Sequence, residues 1–146
     1  MVANGKSFQV GFDIPAKIGD RIDDVYTPAL LIDLDAFERN VSRMADSAKA
    51  MGVRLRAHAK THKSADIALY QIKHGGACGI CCQKVSEAEA LVNAGVKDVL
   101  VSNQVTDLKK IERLTQLTTR ARTIVCVDDA DNVDHLAASA QLSDDC

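Results

Sequence analysis

Val53-Arg54-Leu55-Arg56-Ala57-His58-Ala59-Lys60 alternates along its whole length: in an extended chain Val53, Leu55, Ala57 and Ala59 share one face, and Arg54, Arg56, His58 and Lys60 share the other. A doubly wound sheet carries helices on both faces and would bury that basic row at high cost. A barrel resolves the conflict. One face of each strand packs on outer helices, while the other points inward and opens at the C-terminal mouth, where barrel active sites lie and where Lys60 would stand. An edge strand with a solvated basic face is the plainer alternative on composition alone.

Outward from this stretch, short apolar runs alternate with helix-period segments five times. The runs cover residues 29–34, 53–59, 77–82, 98–102 and 122–127. The first is followed by Phe37, Val41, Met44, Ala48 and Met51 at helical steps, with Asp35 and Glu38 as an N-terminal signal; Ser64 opens the second helix. Ser86 to Glu89 has capping-box spacing and its helix is expected to stop at Gly95. Thr106 opens a fourth, with Leu108, Ile111, Leu114 and Leu117 on one side, and Asp128-Asp129 supply charges at the start of a fifth. Five successive strand–helix units imply a parallel sheet with right-handed crossovers, either a complete five-stranded doubly wound sheet or about five units of an eight-unit barrel. Leu34-Asp35-Ala36-Phe37 follows the first run where a nucleotide-binding sheet would carry a glycine-rich loop, which counts against the doubly wound form.

The composition is that of a core-forming chain: 146 residues, 47% hydrophobic and 26% charged, with a formal charge of −2. The absence of Trp and the near-neutral balance argue against a nucleic-acid partner. No apolar run approaches the roughly 18 residues of a membrane span, and the polar first 27 residues lack a signal-peptide core, so a cytoplasmic location is expected. Residues 1–27 read as an arm and residues 28–146 as the organised part. The cysteines are Cys78, Cys81, Cys82, Cys126 and Cys146, an odd number that does not suggest a disulfide framework. Cys78, Cys81 and Cys82 with His74 could be read as zinc ligands, but strand geometry would turn Cys78 and Cys81 to opposite faces, so buried thiols are expected and no metal site is assigned.

Lys60 is the candidate reactive residue. Thr61-His62-Lys63 extends the basic cluster into the loop, and like charges around an ammonium disfavour it, which favours a usable amine nucleophile. The same cluster would attract a phosphate-bearing cofactor, and a nucleophilic, phosphate-adjacent lysine suggests pyridoxal phosphate. His58 and His62 are as readily loop hydrogen-bonding groups as acid–base groups. Asn103, at the end of the fourth run, would face the mouth, while Lys63 and Lys84 read equally well as solvated.

Three ordered motifs resemble the D-threonine aldolase and D-3-hydroxyaspartate aldolase family: Thr27-Pro28-Ala29-Leu30-Leu31-Ile32-Asp33-Leu34-Asp35, Arg54-Leu55-Arg56-Ala57-His58-Ala59-Lys60-Thr61-His62-Lys63, and Gly79-Ile80-Cys81-Cys82-Gln83-Lys84-Val85-Ser86-Glu87-Ala88-Glu89. The resemblance implies a fold-type III pyridoxal phosphate enzyme, an α/β protein with a partial (β/α)8 barrel of the alanine racemase N-terminal type, related to D-serine dehydratase. It implies that Lys60 is the Schiff-base lysine and that Gln83 contacts the cofactor. It further implies a carbon–carbon lyase that splits D-3-hydroxyamino acids into glycine and an aldehyde, with a divalent metal held outside this chain and a homodimer as the assembly. A dehydratase on the same fold, or a cofactor-binding fragment without activity, is the alternative. Ala57 stands where many relatives have Pro, which restores a backbone N–H and removes no reactive group. About five units of an eight-unit barrel would leave strand edges open, so the 146 residues alone are expected to be marginally stable and inactive.

Overall fold

The computed structural model describes residues 16–144, with side chains described through residue 142. The chain divides into two compact units, Met1–Asp35 and Ala36–Cys146. Among the described residues of the first, a 3-10 turn spans Ile22–Asp24, and the Asp20 carboxylate accepts the Lys17 N–H at 2.7 Å. Residues 29–33 form no strand. Leu30, Leu31 and Ile32 are exposed, at 93%, 62% and 56%, so the first expected strand–helix unit contributes no strand to the sheet. An apolar run becomes a strand only where a neighbour supplies the ladder, and periodicity cannot reveal that neighbour.

Helix α1 covers Leu34–Ala50, which puts Asp35 inside its first turn rather than at the cap. The second unit then runs β1 (Arg56–His58), α2 (Ala65–Lys73), β2 (Gly79–Cys82), α3 (Val85–Asn93), β3 (Asp98–Val101), α4 (Leu108–Gln116), β4 (Arg122–Val125) and α5 (Ala130–Asp144). The four strands are parallel and lie in the order β1-β2-β3-β4. Every crossover therefore steps in the same direction. A doubly wound sheet reverses direction at a switch point, and this one does not.

Registers and burial separate the faces of the sheet. Ala57, Ala59, Ile80, Cys82, Val99, Val101 and Val125 join one core with Ala68 of α2, Ala88, Leu91 and Val92 of α3, and Ile111 and Leu114 of α4. The alternate positions, Arg56 and His58, Gly79 and Cys81, Asp98 and Leu100, Arg122 and Ile124, fall on the opposite face. One helix-covered face and one face with a polar row is the layering of a barrel wall, here with four strands.

The helix ends follow local chemistry. Ser64 caps α2 as expected, its Oγ accepting the Ile67 N–H at 3.3 Å. Gly95, at φ +109°, lies just past the end of α3, a backbone conformation that side-chain-bearing residues rarely adopt. Two starts differ from expectation. Asp107, not Thr106, caps α4 through Lys110 N–H at 3.0 Å, and α3 begins at Val85 after Lys84, which provides no side-chain cap. Leu108 is exposed, leaving Ile111, Leu114 and Leu117 as the buried stripe. Helix α1 meets α2 through the tilted Phe37 and Tyr70 rings, 5.1 Å apart, and a Tyr70 hydroxyl hydrogen bond to Glu38 at 3.0 Å.

At the N-terminal end of the polar face, Asp98 takes hydrogen bonds from Arg56 and, at 3.0 Å, from Arg122. The Arg56 guanidinium spans β2 to reach Asp98, and the residue it passes is Gly79. A Cβ there would collide with that guanidinium and lie 2.8 Å from both the Asp98 Cγ and the Asp98 carbonyl oxygen. A glycine inside a strand here marks a close approach of neighbouring groups.

Candidate active site

The C-terminal ends of the strands are tied together beyond the assigned ladders. Ala59 N–H reaches the Cys81 carbonyl at 2.8 Å, Ser102 N–H the Cys82 carbonyl at 2.9 Å, and Cys126 N–H the Val101 carbonyl at 3.3 Å. The loops carrying Lys60, Gln83 and Asn103 leave the sheet side by side at this edge.

The His-Ala-Lys-Thr-His-Lys motif builds its own turn. His58 Nδ1 accepts the Lys60 N–H at 3.2 Å, and His62 Nδ1 accepts the Ser64 N–H at 3.1 Å. Both histidines thus hydrogen-bond the loop backbone, one of the two roles their positions allow. Burial holds the His62 imidazole below its ordinary pKa, consistent with a neutral ring whose Nδ1 is an acceptor. Lys63 N–H closes the turn on the Ala59 carbonyl at 2.8 Å, with Lys63 at φ +50° in the left-handed region. Lys60 lies within this closed turn, exposed to solvent, two residues beyond the polar-face residue His58.

Gln83, the second expected cofactor residue, is also exposed, and its backbone is held on both sides. Its N–H donates to Glu87 Oε2 at 2.9 Å, and its carbonyl accepts from Asn103 Nδ2 at 3.1 Å. Asn103 therefore braces the neighbouring loop with its amide nitrogen. Gln104 Nε2 donates to Asp128 at 2.9 Å, linking the β3 and β4 loops, while Asp129 accepts the Asn132 N–H at 3.0 Å at the start of α5. A cleft of about 490 Å³ lies between the β2 and β3 loops, lined by Gln83, Lys84, Asn103, Gln104 and Lys110 among others; Lys60 is not one of its walls.

Two cations of the basic cluster expected around Lys60 are ion-paired. Arg56 stands at the opposite end of its strand, paired with Asp98, and Lys63 pairs with Glu87 instead of standing free in solvent. The alternation was legible in sequence, but the acidic partners were not. Asp98 and Glu87 lie 42 and 24 residues from their cations, and each meets its partner only through the parallel register. The capping-box spacing at Ser86–Glu89 was a signal in the right place attached to the wrong pair, because Glu87 supplies the carboxylate.

Two of the three clustered thiols are buried as expected, while Cys78, just ahead of β2, is exposed. Cys81 and Cys82 are buried on alternate faces, and burial pushes the Cys82 thiol up to about 12. His74 stacks on Tyr70, ring centroids 4.4 Å apart. Cys78, Cys81, Cys82 and Cys126 are free thiols, and Cys146 lies outside the described residues. Among the described residues no group of three or more His, Cys, Asp and Glu side chains is arranged to hold a metal ion.

A family model described as alanine racemase, N-terminal domain, matches residues 32–145. The chain belongs to that family. Within the alanine racemase N-terminal domain family, it is 51% identical over 135 residues to a 3-hydroxy-D-aspartate aldolase of Paracoccus denitrificans, covering 92% of this chain and 35% of the relative. It is 46% identical over 123 residues to a D-threonine aldolase of Arthrobacter sp., covering 84% of this chain and 32% of the relative. The crystal structure of a D-threonine aldolase from Filomicrobium marinum superposes with a TM-score of 0.86 at 52% identity, over 90% of this chain and 36% of that one. The chain thus spans about a third of the length of the curated relatives it matches. Its four βα units correspond to part of the family's α/β barrel domain. Among the described residues, no helix is long and apolar enough to cross a membrane.

Proposed function

We propose that the protein is a pyridoxal phosphate-dependent lyase that cleaves D-3-hydroxyamino acids into glycine and an aldehyde, with Lys60 as the cofactor lysine and Gln83 as a cofactor contact. Residues 28–146 are read as part of its barrel and residues 1–27 as an arm. The observation that carries the proposal is an exposed primary amine, Lys60, held in a hydrogen-bonded turn at the C-terminal edge of a barrel wall. Identity near 50% to two aldolases supports the substrate class.

The donor set fits the cofactor. Lys60 offers an amine, and Gln83 and Asn103 stand on adjoining loops with backbone hydrogen bonds that leave the Gln83 side chain open to solvent. When bound, pyridoxal phosphate supplies an aldehyde for that amine and a ring that takes up electrons from the breaking bond. The chain's own part is placement: His58 holds the Lys60 peptide, Ala59 and Lys63 close the turn around it, and Asn103 steadies Gln83. Among the described residues the carboxylates at this edge form no group that would hold a divalent metal, and Glu87 is engaged by both Lys63 and the Gln83 N–H.

The test is to incubate the protein with pyridoxal phosphate, reduce with borohydride and map the label by peptide mass spectrometry. Label at Lys60 is expected, and label elsewhere would overturn the assignment. Substrate outcome separates the two chemistries of the fold: glycine from D-threonine marks the aldolase, and pyruvate from D-serine marks the dehydratase.

A further inference from the structure

We propose that Glu87 is a positioning residue that locks the Lys60 turn to the Gln83 loop. The inference rests on the reading of Lys60 and Gln83 as cofactor residues, and adds a residue that touches neither cofactor nor substrate. One carboxylate serves two loops: Oε1 takes the Lys63 ammonium at the end of the Lys60 turn, and Oε2 takes the Gln83 N–H at 2.9 Å. Glu87 sits in the first turn of α3, a rigid element packed on the core through Val85, Ala88, Leu91 and Val92. From that base it reaches backward past Lys84 to the loop before its own helix.

Each contact fixes a backbone that carries a candidate site residue. Lys63 already anchors the turn through its N–H on Ala59, and its left-handed backbone, costly for a residue with a side chain, is held at both the amide and the ammonium. At Gln83 the Glu87 carboxylate holds the N–H while Asn103 holds the carbonyl. The Gln83 backbone is thus held on both flanks. The hydrogen bonds from Lys63 and from the Gln83 N–H keep the Glu87 carboxyl below its usual range, so it remains an anionic acceptor at neutral pH.

The same pair viewed as a stability device contributes little, because Lys63 is 60% exposed and water screens an exposed ion pair. Positioning and stability therefore separate experimentally. In the protein, Glu87→Ala, Glu87→Gln and Lys63→Met are compared by three measurements: exchange of the Gln83 amide without cofactor, affinity for pyridoxal phosphate by absorbance titration, and the rate of borohydride-trapped labelling at Lys60. Glu87→Ala is expected to speed Gln83 exchange and weaken cofactor binding, each by about tenfold, with little change in melting temperature. Glu87→Gln keeps an acceptor for Gln83 and loses the ion pair, so it should retain amide protection yet label Lys60 more slowly. Lys63→Met should match it. If Glu87→Ala fails to fold, Glu87→Gln and Lys63→Met carry the test alone. Wild-type exchange, affinity and labelling in the variants would overturn the positioning role. Failure of the unaltered protein to label Lys60 would instead overturn the functional reading, and Gln83 exchange would still report on the Glu87 tether.

Discussion

Lys60→Ala is expected to abolish borohydride-stable attachment of pyridoxal phosphate and, in a protein that completes the family's barrel, to lower lyase turnover by roughly three or more orders of magnitude, the scale of removing a covalent catalyst. Lys60 is exposed, and His58 holds it through the backbone N–H that any residue but proline supplies, so the fold should be indifferent to the change. Surface substitutions of this kind stay within about 0.5 kcal/mol. Full loss of labelling beside an unchanged thermal melt is the expected pairing. Lys60→Arg sharpens the result, because it retains the cation and removes the amine that condenses with an aldehyde. If Lys60 served only to attract a phosphate, the arginine variant would hold the cofactor nearly as well as the parent. Turnover of either variant within tenfold of the parent would refute the assignment.

Gly79→Ala is expected to destabilise the protein by about 2–4 kcal/mol, at the upper end of what one added methyl group does in a packed site. The reason lies in the register, which sets Arg56 beside Gly79 and Ile80 beside Val99, so that the Arg56–Asp98 pair must bridge β2 at position 79. The guanidinium could swing away from a new Cβ. The Asp98 carbonyl, 2.8 Å from that Cβ, is backbone and could move only with the strand. Denaturant unfolding of Gly79→Ala beside Asp98→Asn measures the contribution, and a change below about 1 kcal/mol in Gly79→Ala would show that β2 accommodates the methyl. A second signature is acid lability. Burial raises the Asp98 pKa, but hydrogen bonds from Arg56 and Arg122 outweigh it and leave the carboxyl below its ordinary value. A depressed folded pKa gives stability that is complete above the unfolded value, near 3.9, and lost as pH falls through the folded one. Melting temperature should therefore drop below about pH 4 in the parent and less steeply in Asp98→Asn, where the contribution is already gone.

What could be read from the chain follows the range of the interactions. Of the second apolar run, residues 53–59, only Arg56–His58 forms a strand, whereas Ser64 announces the α2 cap and Gly95 the end of α3, because those two depend on residues within a few positions. The motif around Lys60 is equally local, with hydrogen bonds from His58 to Lys60, His62 to Ser64 and Lys63 to Ala59 spanning two to four residues. A resemblance carried on those motifs pointed to the family that the comparisons establish.

The remaining features required the folded sheet. The first run has the composition of a strand and forms none, since a strand exists only with a partner. Arg56 and Lys63 look like free cations in sequence and are ion-paired in space, because Asp98 and Glu87 arrive from later units through the parallel register. Sequence alone therefore determined the four later strand–helix units, the candidate lysine and the kinship, all set by neighbours along the chain. The tertiary structure decided the number of strands in the wall, the pairing of Arg56 and Lys63 and the tie between the Lys60 turn and Gln83, because each depends on groups brought together across strands.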